Sequence, residues 1–172
     1  MPPRLDGMTH YRFRPVPSAT LAELRARDDA GEARTGYVDD EGGAPLRCCL
    51  RRSRPGESIM LVSYAPLRRW ARATGADPGP YEEVGPVFIH AEPCAGAVGD
   101  FPVELLSARR VLRAYDARGH ILGGSTVAPA PGHADTAVGA ALDASFADPA
   151  VALVHVRAVE FGCFFTEVRR PG

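Results

Sequence analysis

The chain has no Lys, no Asn and no Gln, so all twenty of its basic residues are Arg. Each absence removes a chemistry. Without Lys there is no Schiff base to a carbonyl substrate or pyridoxal phosphate, and no amine to sit over a triphosphate. Without Asn there is neither a Cys-His-Asn nucleophile system nor an N-glycosylation acceptor. Long apolar runs are missing too. None nears the ~20 residues of a membrane helix, and the N-terminus lacks the apolar core of a secretory signal. The expectation is no membrane, a cytoplasmic location and four cysteines kept as reduced thiols. Net charge is scarce as well: at −1 overall, no bulk field recruits a polyanion, and no nucleic-acid partner is expected.

What is present fits one folded domain over residues 1–172, with 45% hydrophobic residues to build its core. Arg in place of Lys, with many Ala, Gly and Pro, is the composition that a GC-rich genome produces. The 18 Gly and 16 Pro favour short elements and many turns. Charge is uneven. Leu46 to Arg72 holds seven Arg against Glu57 alone, and Gly75 to Glu104 holds six acids and no base. Neighbouring segments that offset one another on the surface explain this better than a basic groove, because few aromatics interleave with the Arg.

The pattern predicts an α+β fold: mainly antiparallel sheet of about six to eight short strands, with two or three short helices. Residues 1–10 read as a loose terminus and 28–45 as a long loop. Strands are expected at Tyr11–Val16, Arg47–Arg51, Ser58–Tyr64 and Pro86–Glu92. Two hairpins follow, Arg109–Tyr115 with His120–Val127, and Ala152–Ala158 with Cys163–Arg169. Helices are expected near Leu21–Arg27, with Thr20 and Glu23 at capping-box spacing, and over Asp135–Ala147, capped by Asp135. Pro66–Thr74 and Phe101–Leu106 read as helical turns.

Alternation along a strand puts His90 and Glu92 on one face, and His155 shares a face with Leu153 and Arg157. If the strands of His90, His155 and Cys163 are neighbours, their side chains converge. His90 and His155 would then act as acid–base groups, Glu92 as orienter and Cys163 as nucleophile or ligand. Arg109 or Arg113 would hold an anionic group, with Tyr64 and Cys94 as further ligand-binding candidates. His and Cys also suit zinc. No residue is assigned as a metal ligand, however, because Cys48 and Cys49 on a strand point to opposite faces and a vicinal pair rarely chelates one ion. His90-Ala91-Glu92-Pro93-Cys94 carries part of a zinc-deaminase pattern, but Ala97 stands where the second Cys belongs.

Several motifs taken in order resemble a bacterial family, domain of unknown function 1203. They are Pro45-Leu46-Arg47-Cys48-Cys49-Leu50, Pro55-Gly56-Glu57, Gly85 through Cys94, Arg113-Ala114-Tyr115-Asp116, and Asp148-Pro149 through Gly162-Cys163-Phe164. At Leu46 the chain departs from relatives that often have Cys there. The resemblance implies one compact domain and recurring polar motifs, with no activity or cofactor attached. Three functions are compatible with the sequence. A module binding a small molecule or protein partner is the first choice, a small-molecule enzyme using His, Cys and Glu the second, and a structural zinc protein the third. Oligomeric state is not legible.

Overall fold

In the computed structural model, which describes residues 10–172, nine strands divide between two sheets. Residues 1–9 of the expected loose terminus lie outside the described residues. The first sheet comprises β1 (Tyr37–Asp39), β2 (Pro45–Leu46), β3 (Arg51–Arg52), β4 (Glu57–Tyr64) and β5 (Gly85–His90), in the order β1-β4-β5-β2-β3. The second comprises β6 (Arg110–Tyr115), β7 (Ile121–Val127), β8 (Leu153–Ala158) and β9 (Phe164–Arg169), in the order β7-β6-β8-β9. Every pairing is antiparallel except that of β2 with β5. Four α-helices accompany them: α1 (Ser18–Ala26), α2 (Pro66–Thr74), α3 (Val103–Leu106) and α4 (Ala134–Phe146). The α+β class and the antiparallel bias are as the sequence predicts, with one strand and one helix more than the expected ranges.

Two main cores follow from this division. Val138, Leu142 and Phe146, four residues apart on α4, pack with Leu112, Val154, Val156 and Val168 of the second sheet. Leu21 and Leu24 of α1 pack with Ile59, Val62, Val87 and Ile89 of the first. Each such apolar side chain, once fully buried, contributes about 1.5–3 kcal/mol. Helix α4 starts one residue before Asp135, which lies in the first turn and makes no side-chain cap. Helix α1 likewise forms no capping box; Leu21 donates to the carbonyl of Pro17, the residue that precedes the helix. Tyr11–Val16 supplies a single bridge, Arg14 to Glu167, and no full strand.

The 28–45 loop is tied down by a buried carboxylate. Asp28 accepts from the amides of Ala30, Glu32 and Ser63 and from Arg34 Nε at 2.7 Å. Burial by itself would raise its carboxyl, but these donors together hold it well below the usual carboxylate range. The basic and acidic segments do offset each other: Arg54 pairs with Glu104 and Arg68 with Glu82, at 2.7 Å each.

One local expectation is overturned, and it governs the site. Residues 47–50 form a turn, where a strand was expected. Leu50 donates to the carbonyl of Leu46 at 2.9 Å and has φ 56°, a left-handed backbone that Leu seldom adopts. That reversal carries the chain from β2 straight back into β3. Cys48 and Cys49 are consequently not held on opposite faces of a strand.

Candidate metal centre

The parallel register of β2 with β5 sets Leu46 against Phe88. Two residues further along each chain come Cys48 and His90, which therefore meet at the sheet's end. His90 donates its backbone N–H to Cys48 Sγ at 3.2 Å. Its ring Nδ1 lies 3.3 Å from Cys48 Sγ and 3.8 Å from Cys49 Sγ, and the two sulfurs are 3.9 Å apart. Cys94, four residues beyond His90, completes a set whose donor atoms all lie within 4.8 Å of one another. Cys48, Cys49 and His90 are buried and Cys94 is exposed.

The spacings among Cys48, Cys49 and His90 are near those around one small tetrahedral ion, and Cys94 stands within 4.8 Å of all three. With metal–sulfur bonds of ~2.3 Å and metal–nitrogen bonds of ~2.0–2.1 Å, tetrahedron edges are about 3.8 Å for S···S and about 3.5 Å for S···N. The imidazole is oriented for ligation. Its Nε2 lies 3.3 Å from Glu57 Oε1; in the tautomer with the proton on Nε2, Nδ1 turns a lone pair toward the sulfurs. Glu57 is itself fixed by Arg51 in a two-pronged pair at 2.6 and 3.0 Å and by the Arg54 amide at 2.7 Å. Led by Arg51, these contacts draw its carboxyl down to about 2. Arg25 grips the outgoing strand through the carbonyls of His90 and Glu92, at 3.0 and 3.1 Å.

The Cys49–Cys48 hydrogen bond, with burial, pushes the Cys48 thiol up, while the same bond draws Cys49 down. Burial pushes Cys94 up. The backbone amide of His90, which donates to Cys48 Sγ, draws that thiol back down, and the backbone of Arg51 and of Gly96 acts in the same direction on Cys49 and Cys94. These amides favour the thiolate form, against the burial that opposes it at Cys48 and Cys94. Three thiolates and a neutral imidazole suit a soft, tetrahedral-preferring ion such as zinc.

The other residues singled out from the sequence lie apart from this centre. His155 is on β8 in the second sheet, so its strand does not neighbour that of His90. Buried there, it lies with Nε2 3.2 Å from Glu167 Oε1. Cys163, half-buried in the turn before β9, lines two clefts. Glu92 is exposed, and the orienting carboxylate is Glu57. Arg109 is exposed, whereas Arg113 pairs with Glu83 at 2.9 Å. Tyr64 is buried with its ring edge-on to Phe164 at 5.6 Å. Of the eight residues, His90 and Cys94 come together, joined by Cys48 and Cys49, which the strand assumption set aside. The spacing of His90 from Cys94 was the available signal.

Fold and site together define an α+β protein with a Cys3His constellation at the end of a sheet. More particularly, the chain belongs to the family described as protein of unknown function DUF1203, whose model matches residues 43–170 and so spans every donor of the cluster. No curated protein and no solved structure matches the chain.

Proposed function

We propose that the chain is a zinc-binding protein in which Cys48, Cys49, His90 and Cys94 hold one structural ion. The reading rests on His90, whose Nδ1 faces the sulfurs while Nε2 meets a carboxylate anchored by Arg51. Four protein donors fill a tetrahedron and leave no position for a water nucleophile, so the metal's role is to fasten structure. It ties the 47–50 turn, the end of β5 and the 91–102 segment into one unit. With three thiolates and a divalent ion the centre carries one negative charge, and Arg51 lies beside it.

Elemental analysis of untagged protein, purified under reducing conditions, tests the reading. One equivalent of zinc per chain is expected, and cobalt in its place should give the intense bands of a thiolate-rich tetrahedral site. Cys48→Ser and His90→Phe should each abolish both signals. Less than about a tenth of an equivalent after zinc loading would overturn the reading, since sites of this donor set bind zinc strongly. A Cys48–Cys49 disulfide found by mass spectrometry in fresh protein would redirect it to thiol redox chemistry.

A further inference from the structure

Between the two sheets lies a cleft of about 560 Å³, within the range of small-molecule sites. None of the four metal donors is on its wall. Phe88, Phe161 and Phe165 give it an apolar lining, and Arg47, Arg52, Arg110, Glu160 and Cys163 also line it. Arg47 and Arg110 are 2% and 1% exposed, and both lie over the Phe165 ring, at 4.8 and 4.6 Å from its centre.

These cations are short of counter-charge. Among the described residues Arg47 and Arg52 form no ion pair, and Arg110 has only Glu160, 3.8 Å away on a largely exposed side chain. Their hydrogen bonds go to main-chain carbonyls instead. Arg47 donates to Phe164 at 2.7 Å and to Pro45, Arg110 to Leu105 and Arg109 at 2.7 Å each, and Arg52 to Gly43 at 2.9 Å. The carbonyls fix the guanidinium planes without neutralising them. Nη2 of Arg47 and Nη2 of Arg110 make no hydrogen bond among the described residues. Burial lowers Arg47 to about 10; Cys163, also on the cleft wall, opposes this, and the neighbouring Arg52 and Arg110 press in the same direction as burial. Isolated buried charge is unfavourable; an incoming anion would relieve it and form strong, charge-assisted hydrogen bonds.

We propose that this cleft binds a small amphipathic organic carboxylate, its charge held by Arg47, Arg52 and Arg110 and its aryl or aliphatic body lying on Phe88, Phe161 and Phe165. The body distinguishes this ligand from inorganic anions, for which aromatic walls offer nothing. Arg47 and Arg52 flank the Cys48-Cys49 turn, so the zinc-loaded full chain is the material to test. Zinc measured on the same samples registers failure of the metal reading separately from failure of this one.

The dye 8-anilinonaphthalene-1-sulfonate, an amphipathic anion, should bind saturably with enhanced fluorescence. 2-Naphthoate should displace it, whereas 2-naphthalenemethanol should need about tenfold more or worse, since it lacks the charge that the guanidiniums pair with. Inorganic phosphate should not displace it. Leu61→Glu puts a carboxylate on the cleft wall at a position 43% exposed, and should weaken dye binding about tenfold with the melting midpoint unchanged. If that variant melts early, Phe161→Ala, at a side chain 90% exposed, should weaken binding about threefold through lost apolar contact. Absence of saturable binding would overturn the proposal. So would equal competition by the alcohol, displacement by phosphate as effective as by naphthoate, or normal dye affinity in the folded variants.

Discussion

His90 and His155 are built alike on one side and oppositely on the other. Each is buried on a strand of its own sheet, and each has a carboxylate near Nε2, Glu57 at 3.3 Å and Glu167 at 3.2 Å. At Nδ1 they diverge. That of His90 meets two sulfurs within 3.8 Å, with the third in the same cluster. That of His155 is buried with no hydrogen-bond partner among the described residues, and the ring sits between Tyr115 and Phe164, 4.8 and 4.9 Å away. A carboxylate behind a histidine therefore does not identify a metal site. The donors in front of the ring decide, and at His155 their place is taken by aromatic carbon.

The largest effect should come from removing a donor at the first histidine. Cys48→Ser, or a strong chelator on the wild type, should release the zinc and lower the melting midpoint by about 10 °C. Structural zinc in small domains is worth ~10–16 kcal/mol, but here two apolar cores remain and a share of ~3–5 kcal/mol is expected. Calorimetry with and without chelator measures it. A midpoint that ignores the chelator would make the two histidines equivalent and end the contrast.

The mirror experiment is His155→Leu. Glu167, 8% exposed, would keep Arg169 at 2.8 Å but lose its imidazole donor. A buried acceptor losing its partner costs about 1–3 kcal/mol, and loss of the orphan Nδ1 offsets part of that, so a fall of about 5 °C is expected. Zinc should stay at one equivalent. Zinc loss in this variant would show that the sheets are coupled in a way that the contrast denies.

Much of the fold was legible in the sequence but this contrast was not, since both histidines read there as acid–base groups, and the reason is physical. Strong periodicity located α4 through Val138, Leu142 and Phe146, while α2, read as a helical turn over Pro66–Thr74, is a nine-residue helix. The strands β4 to β9 follow from apolar alternation and turn residues. The 47–51 segment misled because its composition suits a strand, while the long-range pairing of Leu46 with Phe88 and the left-handed Leu50 make it a turn. Local propensity contains neither. Glu57 escaped notice as the orienting group for the same reason. It reaches His90 across the sheet, two residues from the Ile59–His90 pair, whereas Glu92 was merely near in sequence. His155 and Glu167 are likewise a cross-strand pair twelve residues apart.

A finer cut separates the carboxylates. Glu57→Gln leaves all four donors in place but weakens the acceptor at Nε2. Altering such a supporting residue typically reduces metal affinity 10–100-fold, or about 1.4–2.7 kcal/mol. Competition with a chromophoric chelator should show roughly that loss for Glu57→Gln and none for Glu167→Gln. Equal affinities in wild type and Glu57→Gln would mean that the carboxylate only anchors Arg51.

The smallest effect concerns acid. Burial holds the His155 imidazole below its ordinary value, although Glu167 opposes the shift. The unfolded chain therefore takes up that proton first, near pH 6.5, and stability from this group is full above that value and declines as the pH falls. Glu167, lowered by His155 and Arg169 against the effect of burial, adds a loss of the same sign beginning near pH 4.5. Between pH 7 and 5 the wild type should lose stability that His155→Leu does not. Zinc release at low pH acts on both proteins and cancels in the difference, provided both begin fully loaded. Parallel stability curves for the two would mean that the buried imidazole takes up its proton in the folded state as readily as in the unfolded one, and the apolar front of His155 would then be more open than its packing against Tyr115 and Phe164 implies.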